Sequence, residues 1–327
     1  MLATRILHLP GVLLTVMATA ANAAPALPDA SSPPQGAADA SRGLSPEADD
    51  LLFASPTRLD HIGRIIAPVM VNGQGPFRFI VDTGASWSTV SPHLAHTLGL
   101  TPAANQPMQV NGITGTADVS SVLIHRIQAG DLVIEDTRLP VVWAPLMAGA
   151  DGILGVAGLK GERIFVDFKH NRVVISRTRN GGTPQGFDRV PARLLPGGLL
   201  AVSARVGGVR VEAVIDTGSE RTIANNALRD ALAWRRRKGE VARVTDVYGA
   251  TTEVASGQVD RAPTIDFGGV KISNVTVVYG DFHIFRVWGM ESRPALIIGM
   301  DVLGTVNALA IDFQRSELYI DSVFHMG

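Results

Sequence analysis

The chain carries the same short motif twice, and this duplication restricts the possible folds more than any other feature. The stretch FIVDTGAS covers residues 79–86, and AVIDTGSE covers residues 213–220. Each is an apolar run that ends on Asp-Thr-Gly, which places aspartates at Asp82 and Asp216. One such triplet is an ordinary loop sequence and carries little information. Two copies behind the same kind of apolar run indicate two related structural units.

The residues around the two motifs match at a constant spacing of 134 residues. Pairs at this spacing are Gly73 with Gly207, Leu94 with Leu228, Leu98 with Leu232, Val110 with Val244, and Gly115 with Gly249. Further along, the spacing grows in small steps, as insertions in surface loops would produce. Ile-Leu-Gly at 153–155 then matches Ile-Ile-Gly at 297–299. Two copies are too few for a solenoid, so we expect two lobes that face each other.

Composition favours a protein built from strands. Of the 327 residues, 46% are hydrophobic and 18% are charged, so the chain can bury a core in one or two domains. Its 34 glycines separate short runs of Val, Ile, Leu and Ala, which is typical of short strands joined by tight turns. We predict hairpins around residues 73–76 and 207–208. We also predict a short helix after each motif, capped by Ser91 in the first half and Asn225 in the second.

Charge and cysteine content exclude several classes of function. The formal net charge is -1, so the chain offers no general electrostatic attraction to nucleic acid or to an acidic membrane. The one basic cluster, at 235–238, lies at the predicted end of a helix, where cations complement the helix dipole. The absence of cysteine excludes a thiol nucleophile and a cysteine zinc site. Because H-E-x-x-H and G-x-S-x-G patterns are also absent, we expect no metal and no cofactor.

Two segments precede the repeat. Residues 1–23 combine Arg5, a short apolar stretch and a final Ala-Asn-Ala, which is typical of a cleaved secretory signal peptide. The apolar stretch is short for a bilayer span, so an uncleaved anchor is the weaker alternative. Residues 24–55 are rich in Ala, Pro and Ser and form either a linker or a removable pro-segment. We therefore predict an exported protein, periplasmic or secreted, with lobes at 56–182 and 183–327.

The paired aspartates have a chemical use if the two lobes face each other. A carboxylate at the end of a buried strand is costly unless it is hydrogen-bonded or paired. A pseudo-twofold arrangement would bring Asp82 beside Asp216. Two carboxylates at such a short distance cannot both be ionised, so they share one proton. One of them then accepts a proton from water while the other donates to a carbonyl oxygen. This general acid and base chemistry suits amide hydrolysis.

The residues that flank the aspartates suit the same chemistry. Gly84 and Gly218 allow a tight turn in which backbone N–H groups point at the carboxylates. The hydroxyls of Thr83 and Thr217 can hydrogen-bond across the interface between the lobes and hold the two turns in position. We therefore predict that these four residues position the acids.

The two halves differ at one position beside the aspartates. Ala85 follows the first motif, whereas Ser219 follows the second. Only Asp216 therefore has a neighbouring hydroxyl, and a donor to the charged form lowers the pKa of a carboxyl group. We predict that Asp216 carries the charge and Asp82 the proton. The activity optimum should then be less acidic than in relatives with serine at both positions.

These motifs resemble a known family. Two copies of apolar-Asp-Thr-Gly-(Ala/Ser), each followed in its own half by Ile-Leu-Gly or Ile-Ile-Gly, are similar to the retropepsin-like aspartic proteases in a fused, single-chain form. The resemblance implies an all-β fold of two duplicated closed β lobes, the acid-protease fold, with the active site between them in a monomer. It also implies that six residues pack beside the catalytic turns: Ile153, Leu154, Gly155, Ile297, Ile298 and Gly299.

In that family a hairpin between the two motifs covers the substrate. The resemblance implies two flap candidates here, VNGITG at 110–115 and TDVYGA at 245–250. The residues assigned to this role are Gly112, Gly115, Tyr248 and Gly249. The Tyr-Gly pair resembles the flap of pepsin-like enzymes but lies in the second half instead of the first, so the working flap stays open. An ordinary half-buried strand tyrosine is an equal alternative for Tyr248.

The leading prediction is an exported aspartic endopeptidase that binds an extended polypeptide in a cleft between two β lobes. It needs no cofactor, and we expect neither nucleic acid nor a transmembrane domain after signal cleavage. The alternative is a non-catalytic peptide-binding module on the same fold, and a third possibility is an autoprocessed protease with one partner protein as substrate. The motif aspartates could also be structural turn residues. For the duplicated Asp167 and Asp312 we expect such a structural role.

Overall fold

The fold is taken from a computed structural model. It describes residues 11–12, 17–19, 55–56, 58–59, 63–142, 147, 149–170, 172–178, 183–232 and 243–321. The basic cluster at 235–238, most of the predicted signal peptide and nearly all of the predicted linker lie outside these residues. Within the described ranges, no helix combines the length and the apolar character that a membrane crossing requires.

The described part of the first half is mostly strand, with one α-helix after the motif and a short 3-10 helix at Val156–Gly158. Its elements are β1 (Gly11–Val12), β2 (Met17–Thr19), β3 (Ser55–Pro56), β4 (Arg58–Leu59), β5 (Ile65–Val71), β6 (Gln74–Val81), β7 (Thr89–Val90), α1 (Pro92–Thr97), β8 (Ala103–Asn111), β9 (Thr116–Ala129), β10 (Leu132–Pro140), β11 (Gly152–Leu154), β12 (Glu162–Asp167) and β13 (Arg172–Arg177).

The second half repeats this order and adds short helices. Its elements are β14 (Asp188–Leu194), β15 (Leu200–Val206), β16 (Val209–Ile215), β17 (Ile223–Asn225), α2 (Asn226–Leu232), β18 (Arg243–Tyr248), β19 (Val254–Arg261), β20 (Ile265–Phe267), β21 (Val270–Ile272), β22 (Thr276–Gly280), α3 (His283–Val287), β23 (Ala295–Ile298), α4 (Met300–Leu303), β24 (Ala308–Asp312) and β25 (Glu317–Asp321). The predicted all-β fold with two duplicated β lobes is confirmed.

In the first lobe, β6 delivers the first motif to the lobe interface. It lies between β5, with which it is antiparallel, and β11, with which it is parallel. The first residues of β6 are exposed, whereas Phe79, Ile80 and Val81 at its end are fully buried. The alternation of buried and exposed residues is lost at this end, as is typical of a strand covered on both faces. The motif aspartate therefore directly follows the most deeply buried part of the strand.

The second lobe repeats this arrangement around β16. This strand is antiparallel to β15 and parallel to β23, and the pairing sets Ile297 beside Val214 and Ile298 beside Ile215. In the first lobe, the equivalent pairing sets Leu154 beside Val81. Each Asp-Thr-Gly turn thus follows a strand that the Ile-Leu-Gly or Ile-Ile-Gly stretch flanks.

The ends of the two halves join in one shared sheet, in the order β14-β25-β24-β12-β13-β3. Strand β12 of the first half pairs antiparallel with β24 of the second, with Ile164 beside Ile311. Asp312 is fully buried here and accepts from the guanidinium of Arg163 at 2.9 Å. Asp167 accepts from the backbone N–H of His170 at 3.0 Å. Both aspartates have structural partners, as predicted, although the shared sheet itself was not predicted.

The two hairpins that lead into the motifs turn on positive-φ pairs. In the second half the turn lies at Gly207 and Gly208, with φ of 54° and 88°, where it was predicted. In the first half the predicted turn at 73–76 is wrong. The turn lies at Asn72 and Gly73, with φ of 50° and 76°, and β6 begins at Gln74. Asparagine tolerates left-handed backbone, so Asn-Gly forms the two-residue turn that matches strand twist.

The helix caps lie where the sequence predicts them. Ser91 Oγ accepts from the backbone N–H of Leu94 at 3.0 Å, and Pro92 is the first residue of α1. Asn225 Oδ1 accepts from the backbone N–H of Leu228 at 3.0 Å in front of α2. Each short helix is therefore anchored at the end that follows the motif.

Candidate active site

The two Asp-Thr-Gly turns face each other between the lobes. Asp82 directly follows β6 and Asp216 directly follows β16, and both side chains are fully buried. The backbone N–H of Asp82 donates to the carbonyl oxygen of Leu154 at 3.0 Å, and that of Asp216 donates to Ile298 at 3.0 Å. The flanking stretches predicted to support the site therefore set the position of both aspartates.

Gly84 and Gly218 lie against the aspartate of the opposite lobe. A Cβ atom on Gly84 would overlap the carboxylate of Asp216, and one on Gly218 would overlap that of Asp82. Each glycine N–H also donates to the aspartate of its own turn, at 2.8 Å for Asp82 Oδ1 and 2.9 Å for Asp216 Oδ1. The predicted N–H contacts are present. The sequence did not reveal the second need for glycine, which is space for the opposite carboxylate.

The motif threonines join the two turns by four hydrogen bonds. Thr83 Oγ1 donates to the carbonyl oxygen of Ile215 at 2.8 Å and accepts from the N–H of Thr217 at 3.1 Å. Thr217 Oγ1 donates to the carbonyl oxygen of Val81 at 2.7 Å and accepts from the N–H of Thr83 at 3.1 Å. Each hydroxyl therefore uses its proton and one lone pair on the opposite lobe, which fixes the turns relative to each other.

The glycines of the supporting stretches are required by close backbone approach. A Cβ on Gly155 would lie 2.5 Å from the carbonyl carbon of Trp87, and one on Gly299 would lie 2.7 Å from that of Arg221. These distances are shorter than any normal contact of a side-chain carbon. The loop after each motif can therefore pack against its supporting stretch only where that stretch has glycine.

Two hydroxyls that hold the supporting stretches were missed from the sequence. Ser88 Oγ accepts from the N–H of Gly155 at 3.1 Å, and Thr222 Oγ1 accepts from the N–H of Gly299 at 3.2 Å. Thr222 Oγ1 in turn donates to Asp301 Oδ1 at 2.7 Å. Ser88 and Thr222 lie 134 residues apart, the same spacing as the motifs, so the repeat contained the signal that would have found them.

The two predicted flaps are hairpins whose tips touch. The first is β8–β9 with its tip at 112–115, and the second is β18–β19 with its tip at 249–253. Thr114 Oγ1 lies 3.1 Å from Thr251 Oγ1. A Cβ on Gly249 would lie 3.0 Å from Thr114 Oγ1, and one on Gly112 would lie 3.2 Å from the backbone nitrogen of Ala250. Glycine at these positions lets the two tips approach closely.

Both hairpins belong to the surroundings of the aspartates. Val110 of the first hairpin and Ala250 of the second share a buried apolar cluster with Ala85, the residue after the first motif. Tyr248 is half-buried, ends β18 and pairs with Val254 across the hairpin. The sequence stretch at 245–250 therefore covers a strand and only the beginning of the second tip.

Two short strands, β1 and β2, pair with the two hairpins. Strand β1 runs parallel to β18, with Val12 beside Tyr248, and β2 runs antiparallel to β8, with Ala18 beside Val110. Each hairpin thus has one further short strand paired with its outer strand. Both strand edges accept a further backbone by ordinary ladder hydrogen bonding.

A family model described as aspartyl protease matches the chain twice, at residues 67–157 and 202–302. Together these matches cover more than half of the chain. The chain belongs to the aspartyl protease family. One match falls in each half and contains one Asp-Thr-Gly turn with its supporting stretch, which confirms the two-lobed, single-chain form. A comparison with curated proteins found no match.

The environment of Asp82 in this aspartyl protease favours its protonated form. Burial raises the pKa of Asp82 well above its ordinary value, and the charge of Asp216 raises it further. The N–H of Gly84 and the fully buried guanidinium of Arg64 act in the opposite direction. Oδ2 of Asp82 is buried with no hydrogen-bond donor among the described residues.

The hydrogen-bond donors around the two aspartates are unequal. Asp216 accepts from the N–H of Gly218, from the N–H of Ser219 at 3.1 Å and from Ser219 Oγ at 2.8 Å. Asp82 accepts from the N–H of Gly84, and Ala85 has no hydroxyl to add. Donors stabilise a carboxylate over its protonated form. The geometry therefore favours the charge on Asp216 and the proton on Asp82.

Arg64 is a third residue that the sequence did not reveal. Arg64 directly precedes β5, and Asp82 directly follows β6, the strand that pairs antiparallel with β5. The described residues contain no group of three or more His, Asp or Glu side chains arranged to hold a metal ion. The ionisable groups that this site brings together are thus the two aspartates, with one buried cation beside them.

Proposed function

We propose that the protein is an exported aspartic endopeptidase in which Asp82 and Asp216 act as one catalytic pair. The observation that carries this proposal is the placement of two fully buried carboxylates on facing turns that Thr83 and Thr217 bond together. A structural turn carboxylate needs only its own backbone donors. It does not need a second carboxylate against it, because that contact costs free energy unless a proton is shared.

The unequal hydrogen-bond donors around the two aspartates support one assignment of their roles. Charged Asp216 accepts a proton from a water molecule as the water oxygen attacks the scissile carbonyl carbon, and Asp82 gives its proton to the carbonyl oxygen. The tetrahedral intermediate then collapses. The C–N bond breaks, the amine nitrogen takes the proton from Asp216, and the re-forming carbonyl returns a proton to Asp82. The pair ends the cycle in its starting protonation state.

The substrate we propose is a polypeptide in extended conformation. The pairing of β1 with β18 and of β2 with β8 supports this, because in both cases a short strand of the same chain pairs with the outer strand of a hairpin. Main-chain hydrogen bonds of this kind give affinity, and pockets for alternate side chains give selectivity. Because both aspartates are fully buried, at least one hairpin must move before a substrate can reach them.

Export and the oligomeric state are part of the proposal. The Arg5, apolar stretch and Ala-Asn-Ala pattern of residues 1–23 supports export to a periplasm or to the medium. One chain supplies both aspartates, so a monomer is sufficient for the chemistry. Mass analysis of the exported protein tests the first point, since a signal peptide cut after Ala23 leaves a new N-terminus at residue 24.

Digestion of an unbiased peptide library tests the activity. We expect cleavage by the wild type, inhibition by a statine-type peptide, and loss of cleavage in Asp82→Asn and Asp216→Asn. Asp230→Asn is the matched control because Asp230 is exposed on α2, and it should cleave as the wild type does. Equal cleavage by both motif variants would refute the catalytic pair. Peptide binding by a folded wild type that releases no product would support the non-catalytic binding module instead.

A further inference from the structure

A histidine of the second lobe contacts the first hairpin. His283 is the first residue of α3, and its Nε2 lies 2.9 Å from Thr116 Oγ1 and 3.3 Å from Asn111 Oδ1. The backbone N–H of Ile284 also donates to the carbonyl oxygen of Ile113, at 3.4 Å. These contacts cross the lobe interface. They attach the first hairpin to an element that is not part of its own lobe.

The hydrogen-bond pattern determines which atom is the donor. Thr116 Oγ1 donates its single proton to Asn111 Oδ1 at 2.7 Å, so it can only accept from His283. Asn111 Oδ1 is also an acceptor. Nε2 of His283 therefore carries a proton and points at both oxygens. Neutral histidine with the proton on Nε2 and the imidazolium both meet this requirement, so the contact does not depend on one charge state.

The contact is made with the last residue pair before the tip of the first hairpin. Asn111 ends β8, Thr116 begins β9, and the two are paired across the hairpin directly below the tip at 112–115. Within the tip, Ile113 is fully buried and belongs to the main apolar core. The first hairpin is therefore held by hydrogen bonds at the Asn111–Thr116 pair and by burial of Ile113 at its tip.

The second hairpin lacks this pair of side chains. The pair that closes the second tip is Tyr248 and Val254, which does not repeat the amide and hydroxyl combination of Asn111 and Thr116. Its tip is also more exposed, and Val254 at the start of β19 is 53% exposed. The repeat has thus produced two hairpins that are alike in backbone but unequal in attachment.

We propose that His283 is a positioning residue that holds the first hairpin over the aspartates, so that the second hairpin is the flap that opens to admit substrate. Its consequence for turnover rests on the proposed peptidase function, whereas its consequence for hairpin motion does not. Opening of one flap exposes the cleft from one side while the first hairpin keeps its strand edge in place for the substrate backbone.

Hydrogen exchange of the whole chain tests the hairpin motion. In the wild type we expect slow exchange for backbone amides at 108–117 and faster exchange at 249–254. In His283→Leu, exchange at 108–117 should become about five- to tenfold faster, as the loss of one to two hydrogen bonds predicts. His283→Gln keeps an N–H donor and should restore most of the protection.

The matched control is His170→Leu. His170 is also hydrogen-bonded through a ring nitrogen, to Asp167, but it lies in the turn between β12 and β13. It should leave exchange at both hairpins unchanged. Equal exchange of the two hairpins in the wild type would overturn the proposal. Unchanged exchange at 108–117 in His283→Leu would overturn it as well.

Peptide cleavage provides the second readout. If His283 positions the first hairpin, His283→Leu should raise KM several-fold, with a smaller change in kcat and unchanged pH limits of kcat. Shifted pH limits would place His283 in the chemistry and overturn the positioning role. A wild type that cleaves no peptide would refute the proposed function, and the exchange experiment would still decide the proposal on the hairpins.

Discussion

Replacement of Thr217 by valine removes cross-lobe hydrogen bonds without changing the shape of the side chain. The hydroxyl donates to Val81 at 2.7 Å and accepts from the N–H of Thr83 at 3.1 Å, and all three residues are almost completely buried. The valine would leave one buried carbonyl group and one buried N–H group without these partners. Each such group costs about 1–3 kcal/mol, so we expect a loss of about 2–6 kcal/mol in the free energy of unfolding.

Urea unfolding of the purified chain measures this loss against a matched control. Thr89 is fully buried like Thr217, but its Oγ1 has no hydrogen-bond partner among the described residues. Thr89→Val should therefore unfold at or above the urea concentration of the wild type. Thr217→Ser retains the hydroxyl and should recover most of the stability. A free energy of unfolding for Thr217→Val within about 0.5 kcal/mol of that for Thr89→Val would refute the role of the threonine hydrogen bonds. Substitutions that remove no specific interaction usually change stability by no more than this amount.

Three further variants test the surroundings of the aspartates. Ala85→Ser adds a donor near Asp82 and should move the acid limb of the pH–rate profile to lower pH, so an unchanged or raised limb contradicts the assigned asymmetry. Gly155→Ala places a Cβ against Trp87 and should cost about 1–3 kcal/mol in unfolding together with most of the peptidase activity. Because the pKa of folded Asp82 is raised above 3.8, the wild type should lose stability relative to Asp82→Asn as pH rises from that value, and urea unfolding at several pH values checks the sign.

Local patterns in the sequence predicted the parts of the fold that depend on neighbouring residues. Short-range periodicity predicts the buried end of β6. Side-chain chemistry predicts the caps at Ser91 and Asn225 and the turn at 207–208. The turn between β5 and β6 was predicted wrongly, because Gly and Pro at 73–76 are themselves typical turn residues, whereas the left-handed backbone of Asn72 determines the turn.

Features that depend on distant residues were not accessible in the same way. The shared sheet arises from pairing between β12 and β24, and nothing in either strand specifies its partner. Gly84 needs space because Asp216 lies against it, a fact about the other lobe. His283 has no role in the repeat, so the spacing that identified the aspartates could not identify it. Export and the lobe boundary near residues 182 and 183 stay predictions.

The central claim is that Asp82 and Asp216 form one site that shares a proton. Carbon-13 NMR of aspartate-labelled protein measures the ionisation of both carboxyl groups directly, by titration of their resonances. The variants Asp82→Asn and Asp216→Asn assign each resonance to its residue. We expect Asp82 to stay protonated well above its ordinary range in the wild type, and Asp216→Asn to lower its pKa while burial keeps it raised. Independent ionisation of both aspartates near 3.8, unaffected by either substitution, would contradict the account.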